Sequence, residues 1–224
     1  MDYVCTDQPT ELAAEYVAGV LKKHLEKGEK VLWLLTGGSG LPIAVSVSKK
    51  MTGINTSKLF VTLTDERFGV VGHKDENWQQ LIDQGFSLPT ATTYRPLINS
   101  DMGTTATEFG AWLDDRFNEV DFIIGLFGIG PDGHTAGIKP HSPATNPVNT
   151  AVAYHSEDFD RVTMSFSAIR QIDEAVLQAS GDDKQAVMRS LIYDDIPLND
   201  QPAQILKEIP KLTVYSNNEK EFLP

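Results

Sequence analysis

The sequence has one cysteine, few cationic side chains and no apolar run approaching the roughly 20 residues that a membrane span needs. Because Cys5 is the only cysteine, no intrachain disulfide can form. The 224 residues include 19 Lys and Arg against 31 Asp and Glu, a net charge of −12, which argues against nucleic acid or an anionic membrane as a partner, since both need clustered cations. The first residues also lack a basic and apolar leader, so we expect a cytoplasmic protein.

Helix-like and strand-like segments alternate along the chain. Apolar residues recur at helical spacing in the segments 10–27, 41–51, 104–118 and 182–192. Short apolar runs indicate strands at 31–35, 59–63, 121–127, 151–154, 162–166, 175–177 and 212–215. The alternation predicts a single α/β domain over residues 1–224 with a largely parallel sheet. Ligands of such sheets bind beyond the carboxyl ends of the strands, where the loops 36–40, 64–67 and 128–134 fall.

The first of these loops, Thr36-Gly-Gly-Ser-Gly40, lies between a predicted buried strand and a predicted helix. Its glycines allow a tight turn that presents backbone N–H groups, and the helix N-terminus adds partial positive charge. With the hydroxyls of Thr36 and Ser39, the loop is a candidate phosphate or carboxylate site; a plain strand–helix turn is the alternative. It is not a P-loop, because the Gly-Lys-Ser/Thr ending is missing.

The second loop contains Asp65-Glu66-Arg67. Adjacent residues of an extended chain point to opposite faces, so we do not expect Asp65 and Glu66 to act as an acid–base pair. Arg67 is the better candidate, because a guanidinium binds phosphate or carboxylate with paired donors. An ion pair on the surface is the alternative.

The third loop, Gly128-Ile-Gly-Pro-Asp-Gly-His134, matches the dinucleotide fingerprint G-x-G-x-x-G. The crossover helix that this fingerprint requires would contain Pro140, Pro143 and Pro147, and each interior proline costs about 3 kcal/mol. We therefore expect no nicotinamide or flavin cofactor. What remains is Asp132 beside His134: an imidazole exchanges protons near neutral pH, and a nearby carboxylate can fix its tautomer. A purely structural histidine is the alternative, and without H-x-x-x-H or paired cysteines we expect no metal.

The segment Ser180-Gly-Asp-Asp-Lys184 precedes the last predicted helix. Asp182 or Asp183 is a candidate cap. Lys184 then lies in the first turn, where the helix dipole disfavours a cation unless an anion is bound there.

Together these segments resemble the 6-phosphogluconolactonase family, which is related to glucosamine-6-phosphate isomerase/deaminase. The resemblance is collinear over roughly residues 10–216 and rests on Gly37-Gly38-Ser39, Asp65-Glu66-Arg67, Asn77, Gly128-Ile-Gly-Pro-Asp-Gly-His-Thr-Ala136, Arg161-Val-Thr163 and Gly181-Asp-Asp-Lys184. It implies a Rossmann-like three-layer α/β sandwich, and hydrolysis of 6-phospho-D-glucono-1,5-lactone in the oxidative pentose phosphate pathway without metal or cofactor. It does not indicate an oligomeric state.

Carried over position by position, the resemblance makes His134 the acid–base residue and Asp132 its partner. The residues it implies for holding the phosphate or the sugar are Gly38, Ser39, Arg67, Gly130, Arg161 and Lys184.

The chain also departs from the lactonase pattern. Gly40 stands where that pattern has Thr, Glu76 where it has Ser, and Gly137-Ile138-Lys139 where it has Ser-Leu-Phe. Two alternatives therefore stay open: a glucosamine-6-phosphate isomerase/deaminase and a non-catalytic sugar-phosphate sensor. The deaminases have a carboxylate in place of Lys139, which favours the lactonase interpretation.

Overall fold

The computed structural model describes residues 1–146 and 148–218, and this part of the chain forms ten strands and six α-helices. The strands are β1 (Asp2–Cys5), β2 (Val31–Leu35), β3 (Leu59–Leu63), β4 (Asp65–Arg67), β5 (Thr92–Thr93), β6 (Phe122–Phe127), β7 (Ala151–Tyr154), β8 (Arg161–Met164), β9 (Glu174–Gln178) and β10 (Lys211–Ser216). The helices are α1 (Pro9–Glu26), α2 (Leu41–Lys50), α3 (Asn77–Asp83), α4 (Met102–Glu119), α5 (Phe166–Ile169) and α6 (Gln185–Tyr193). Short 3-10 helices cover Gly38–Gly40, Pro143–Thr145, Asp182–Lys184 and Pro202–Glu208.

Seven strands form one parallel sheet in the order β1-β10-β9-β6-β2-β3-β5. Every residue of β2 and β3 is buried, as expected for strands that are covered on both faces. The apolar runs 31–35 and 59–63 therefore predicted these two strands correctly.

Helices cover both faces of this sheet and create two apolar cores. Leu32 and Leu34 of β2 pack into a core that includes residues of α4 and α6. Their neighbours Val31, Trp33 and Leu35 pack into a second core with α1, α2 and α3. This alternation follows from the two-residue period of a strand. The predicted Rossmann-like three-layer sandwich with a parallel central sheet is confirmed.

A second, three-stranded antiparallel sheet in the order β4-β8-β7 was not predicted. The segment 64–67, expected as a loop, contains β4, and the segments 151–154 and 162–166 belong to this small sheet. The predicted strand 162–166 ends early, at Met164, because Ser165 caps α5 by accepting a hydrogen bond from the N–H of Ala168 at 3.4 Å. Apolar residues that continue beyond Met164 therefore belong to a helix.

The predicted helix 182–192 also needs correction. Its first three residues form a 3-10 turn, α6 begins at Gln185, and neither Asp182 nor Asp183 caps it with a side-chain hydrogen bond. No sequence pattern indicated β1, α3, β5 or the 3-10 helix Pro202–Glu208. No helix in the described part of the chain is long and apolar enough to cross a membrane.

Strand β2 is the point where the direction of the winding changes. Its neighbours are β3 on one side and β6 on the other, and the chain reaches β6 only after completing β3 and β5. Ligands in open α/β sheets bind in the crevice beyond the carboxyl ends of the strands at such a point. The loops after β2 and β6 are 36–40 and 128–134.

Candidate active site

A cavity of about 310 Å³ lies at this crevice, between the main sheet and the small antiparallel sheet. Seven of the eight predicted site residues line it: Gly38, Ser39, Arg67, Gly130, His134, Arg161 and Lys184. The eighth, Asp132, is hydrogen-bonded to His134. The structure thus brings together residues from distant parts of the sequence.

The glycine-rich loop enters the cavity directly from β2. Residues 38–40 make one 3-10 turn, and α2 follows with Pro42 in its first turn. Gly38 has φ +57°, a left-handed backbone that favours glycine. A Cβ on Gly37 would lie 2.2 Å from Oδ1 of Asn77, so this close approach requires glycine as well. Ser39 Oγ faces the neighbouring loop, 3.8 Å from where a Cβ on Gly128 would lie.

The loop after β6 forms a compact turn that presents His134. The N–H of Gly130 donates to the carbonyl of His134 at 2.9 Å, and the N–H of Gly133 donates to the carbonyl of Gly130 at 2.9 Å. Gly133 has φ +85°, which this turn requires. The chain therefore folds back on itself, and the side chains of Asp132 and His134 point to the same side.

Asp132 and His134 form a close pair. Oδ1 of Asp132 lies 2.6 Å from Nδ1 of His134 and also accepts the backbone N–H of His134 at 3.1 Å. The hydrogen bond from His134 lowers the pKa of Asp132 to about 2, so this carboxyl is ionised at neutral pH. An ionised acceptor at Nδ1 places the proton of a neutral imidazole on Nδ1 and leaves the lone pair on Nε2.

No α-helix begins in residues 128–146 or 148–150. After His134 the chain makes a tight turn between Thr135 and Ile138 and then the 3-10 turn Pro143–Thr145. Pro147, the third of the prolines expected to break a helix, lies outside the described residues. The crossover helix of a dinucleotide site is thus missing from this segment, as the prolines predicted.

Three cationic side chains line the cavity. The guanidinium carbon of Arg67 lies 4.3 Å from the centre of the Phe159 ring, a cation–π contact. Arg161 is buried and donates from Nη2 to Oδ2 of Asp158 at 2.9 Å. Its buried Nε has no hydrogen-bond partner among the described residues. Lys184 makes no ion pair with any carboxylate in the described chain, so its charge is available to a ligand.

Asp65 and Glu66 point in different directions, as their adjacency in an extended strand predicts. Asp65 lines the cavity and lies 3.9 Å from Nη1 of Arg161. Its burial raises its pKa, and the positive charge of Arg161 opposes that rise. Glu66 instead accepts backbone N–H groups from Arg67, Asn77 and Trp78 at 2.7, 2.7 and 2.9 Å. It therefore joins β4 to the start of α3.

Sequence reasoning missed several residues that line the cavity. Asp65 was considered only together with Glu66, and Asp158 and Phe159 lie in the turn between β7 and β8. The stretch around them, Ser156-Glu-Asp-Phe159, is typical of a solvated surface turn and carried no signal for a site. Only the pairing of β8 with β4 brings this turn over the cavity. No cluster of three or more His, Cys, Asp or Glu side chains suited to a metal is found in residues 1–146 and 148–218.

The family model described as glucosamine-6-phosphate isomerases/6-phosphogluconolactonase matches residues 6–214. The chain belongs to this family. The match covers both loops of the crevice as well as β4 and the start of α6.

Curated relatives and solved structures agree with this assignment. The chain is 25% identical over 230 residues to the 6-phosphogluconolactonase of Helicobacter pylori, covering 96% of this chain and 94% of the relative. It is 26% identical over 215 residues to the glucosamine-6-phosphate deaminase of Lactobacillus johnsonii, covering 87% and 86%. The crystal structure of 6-phosphogluconolactonase from Thermotoga maritima superposes with a TM-score of 0.83 at 19% identity, covering 96% and 98% of the two chains. At that identity the superposition supports the fold.

Gly137, one of the expected departures from the lactonase pattern, has a steric explanation. A Cβ on Gly137 would lie 2.8 Å from Cβ of Thr163 and 3.1 Å from Cβ of Asp65. Its N–H donates to Oγ1 of Thr163 at 3.1 Å, and its carbonyl accepts the hydroxyl of Tyr154 at 2.6 Å. Glycine therefore allows the loop after His134 to approach β4 and β8 closely.

Proposed function

We propose that this chain hydrolyses 6-phospho-D-glucono-1,5-lactone to 6-phospho-D-gluconate, with His134 as the acid–base residue and no metal or cofactor. The observation that carries the proposal is one cavity lined by His134, a glycine-rich loop and three cations. His134 can transfer protons, and the glycine-rich loop and the three cations suit a phosphate. The family contains proteins named 6-phosphogluconolactonase, which agrees with this chemistry.

The phosphate would be held by the loop 37–40 and by Arg67, Arg161 and Lys184. The loop offers backbone N–H groups at the start of α2 and the hydroxyl of Ser39, while the cations supply charge against the overall excess of acidic residues. Holding the phosphate fixes the lactone carbonyl relative to His134. Positioning of this kind removes several kcal/mol from a reaction barrier.

In the proposed reaction, Nε2 of neutral His134 takes a proton from a water molecule as the water oxygen attacks the lactone carbonyl. The carbonyl carbon becomes tetrahedral, and its oxygen carries the negative charge. The imidazolium then returns the proton to the ring oxygen as the C–O bond breaks, which leaves a carboxylic acid and a free hydroxyl. Ionised Asp132 stabilises the imidazolium through Nδ1. Backbone N–H groups of loop 128–133 and Arg67 are the candidates for stabilising the oxyanion.

The test is lactone disappearance measured against its spontaneous hydrolysis, with wild type and His134→Ala compared at equal concentration. We expect strong acceleration by the wild type and a loss of at least about 10²-fold in kcat for His134→Ala, with an unchanged thermal unfolding midpoint. Wild-type protein that does not accelerate hydrolysis would exclude the lactonase function. Full activity in His134→Ala would remove only this residue from the mechanism.

Asp65 favours a second candidate, isomerisation and deamination of glucosamine 6-phosphate. Its carboxyl lies in the same cavity, and a raised pKa suits a group that takes and returns a proton at a sugar carbon. A relative at 26% identity carries that activity in its name. Against this candidate, the chain has Lys139 where the deaminases have a carboxylate, and Lys139 forms an ion pair with Asp158.

Ammonia release from glucosamine 6-phosphate separates the two candidates. We expect none above the rate without protein, and lactone hydrolysis in the parallel assay. Stabilisation by 6-phosphogluconate without turnover of either substrate would instead indicate a sugar-phosphate sensor.

A further inference from the structure

Three charged side chains meet at the wall of the cavity. Oδ2 of Asp158 lies 2.9 Å from Nζ of Lys139 and 2.9 Å from Nη2 of Arg161, so one carboxylate oxygen bridges two cations. Asp158 and Arg161 line the cavity, whereas Lys139 contacts Asp158 but is not part of the lining. Lys139 is also one of the residues at which the chain departs from the lactonase pattern.

The two oxygens of Asp158 have different partners. Oδ1 accepts the N–H of Phe159 at 2.8 Å and the hydroxyl of Ser156 at 3.1 Å, which fixes the turn between β7 and β8. Oδ2 is left for the two cations. Burial acts to raise the pKa of Asp158, but the partners Lys139, Phe159 and Arg161 outweigh it and hold that pKa well below its usual range. The carboxylate is therefore negatively charged at neutral pH, in a cavity suited to an anion.

The charge on Arg161 is opposed from two sides. Besides Asp158, the carboxylate of Asp65 lies 3.9 Å from Nη1 of Arg161. A guanidinium that pairs with acidic side chains has less positive charge to offer a phosphate, which carries about −1.5 to −2 at pH 7. The ammonium of Lys139, which is not part of the cavity lining, offsets one of these carboxylates.

From this geometry we infer that Lys139 determines specificity for a phosphorylated substrate: by neutralising Asp158, it leaves more of the positive charge of Arg161 available to a ligand in the cavity. Lys139 is a positioning residue, because it acts through Asp158. The inference deepens the proposed function, since it concerns the phosphate of the same substrate. A merely structural ion pair would tie the segment after His134 to the β7–β8 turn and would affect phosphorylated and unphosphorylated ligands alike.

The variants are Lys139→Met, which keeps the aliphatic stem, Lys139→Arg, Asp158→Asn and the double variant Lys139→Met/Asp158→Asn. Lys50→Met is the matched control. Lys50 has 28% side-chain exposure against 25% for Lys139. It is the last residue of α2, and its Nζ lies 2.7 Å from Oε1 of Glu11 in α1. Lys50→Met removes one positive charge, as Lys139→Met does, but at a residue that does not line the cavity.

Binding of 6-phosphogluconate and of gluconate is measured by calorimetry, a readout that does not depend on turnover. KM and kcat are measured with the phosphorylated lactone and with the corresponding unphosphorylated lactone. We expect Lys139→Met to weaken 6-phosphogluconate binding and raise KM for the phosphorylated lactone about tenfold, with gluconate binding and kcat nearly unchanged. Lys139→Arg should rescue the binding, and Lys50→Met should match wild type. In the Asp158→Asn background, Lys139→Met should have a much smaller effect, because no carboxylate remains to be neutralised.

Equal losses for phosphorylated and unphosphorylated ligands would overturn the inference, and so would an effect of Lys139→Met that is the same with and without the Asp158 carboxylate. These outcomes differ from failure of the proposed function. A wild type whose affinity for 6-phosphogluconate depends on Lys139 but that does not hydrolyse the lactone would leave the inference standing and exclude the lactonase.

Discussion

A Cβ atom on Gly130 would lie 2.1 Å from Nδ1 of His134 and 2.6 Å from Oδ1 of Asp132. The backbone of Gly130 therefore occupies the space in which any side chain would displace the pair. The same residue closes the turn, because its N–H donates to the carbonyl of His134 at 2.9 Å. Glycine at this position is thus a condition for the Asp132–His134 geometry.

Gly130→Ala should therefore inactivate the enzyme while leaving the fold intact. The methyl group forces the imidazole away from Asp132, and a misplacement of about 1 Å costs on the order of 10²-fold in rate. The lactonase assay and thermal unfolding together check this outcome. Gly19→Ala is the control: Gly19 lies inside α1, a Cβ there would have no atom within 4 Å, and the change should stabilise the protein by roughly 0.5–1 kcal/mol. Wild-type activity in Gly130→Ala would show that the pair is not required.

Asp132→Asn tests the role of the carboxylate. An amide at 2.6 Å from Nδ1 neither stabilises an imidazolium nor enforces the same tautomer. We expect kcat/KM for the lactone to fall by about 10²- to 10⁴-fold, with little change in the affinity for 6-phosphogluconate. A fall in affinity with unchanged kcat would instead assign Asp132 to substrate binding.

His141→Asn is the control for that experiment. His141 has φ +56°, a conformation that asparagine tolerates, and its exposed side chain contacts Asn199 and Asp200 outside the cavity lining. We expect unchanged activity. A substantial loss would show that His141 contributes to the site.

The sequence predicted the parts of this molecule whose signals are local. Apolar runs such as 31–35 locate the buried strands because both of their faces are covered, and the spacing of glycines and His134 locates the two loops at the crevice. The small sheet was missed because β4 consists of Asp65, Glu66 and Arg67, whose charges conceal a buried strand. Its partner β8 lies more than 90 residues further along the chain, so only the folded chain pairs the two strands.

The residues of the cavity could be predicted only in part, because only some of them belong to local sequence patterns. Its cations and its histidine belong to short motifs, whereas the ion pair of Lys139 with Asp158 joins segments with no shared pattern. Glu66 is a further case, because its three backbone donors come from β4 and α3. A carboxyl group that accepts backbone N–H groups from distant elements leaves no periodic pattern in the sequence.

Gly40 offers a steric test of the anion loop. A Cβ on Gly40 would lie 2.3 Å from Cγ2 of Thr36 but 3.6 Å from its Cβ. Gly40→Ala should therefore cost about 1–3 kcal/mol of unfolding free energy through overpacking. Combining it with Thr36→Ser removes the methyl in conflict, so the double variant should recover most of that loss. Chemical denaturation of the four proteins checks the coupling, and strictly additive effects would contradict it.

Glu66 should give the protein a stability that falls with rising pH. Burial raises the pKa of Glu66 from 4.5 to about 8, against the backbone N–H groups of Trp78, Asn77 and Arg67, which lower it. The unfolded state then releases this proton first, so the contribution of Glu66 is fully present below about pH 4.5 and is lost as the pH rises toward 8.

Glu66→Gln isolates this effect, because glutamine does not titrate. Between pH 5 and 8, the unfolding free energy of wild type should fall relative to that of Glu66→Gln as the pH rises. The slope should be at most about 1.4 kcal/mol per pH unit. Denaturant unfolding at unit steps of pH measures it. Glu119→Gln is the contrasting control, because the hydrogen bond from Lys30 lowers the pKa of Glu119, and its contribution is lost only as the pH falls. A difference that grows in favour of wild type as the pH rises would mean that the three N–H donors outweigh burial, and that Glu66 is an ionised anchor for β4 and α3.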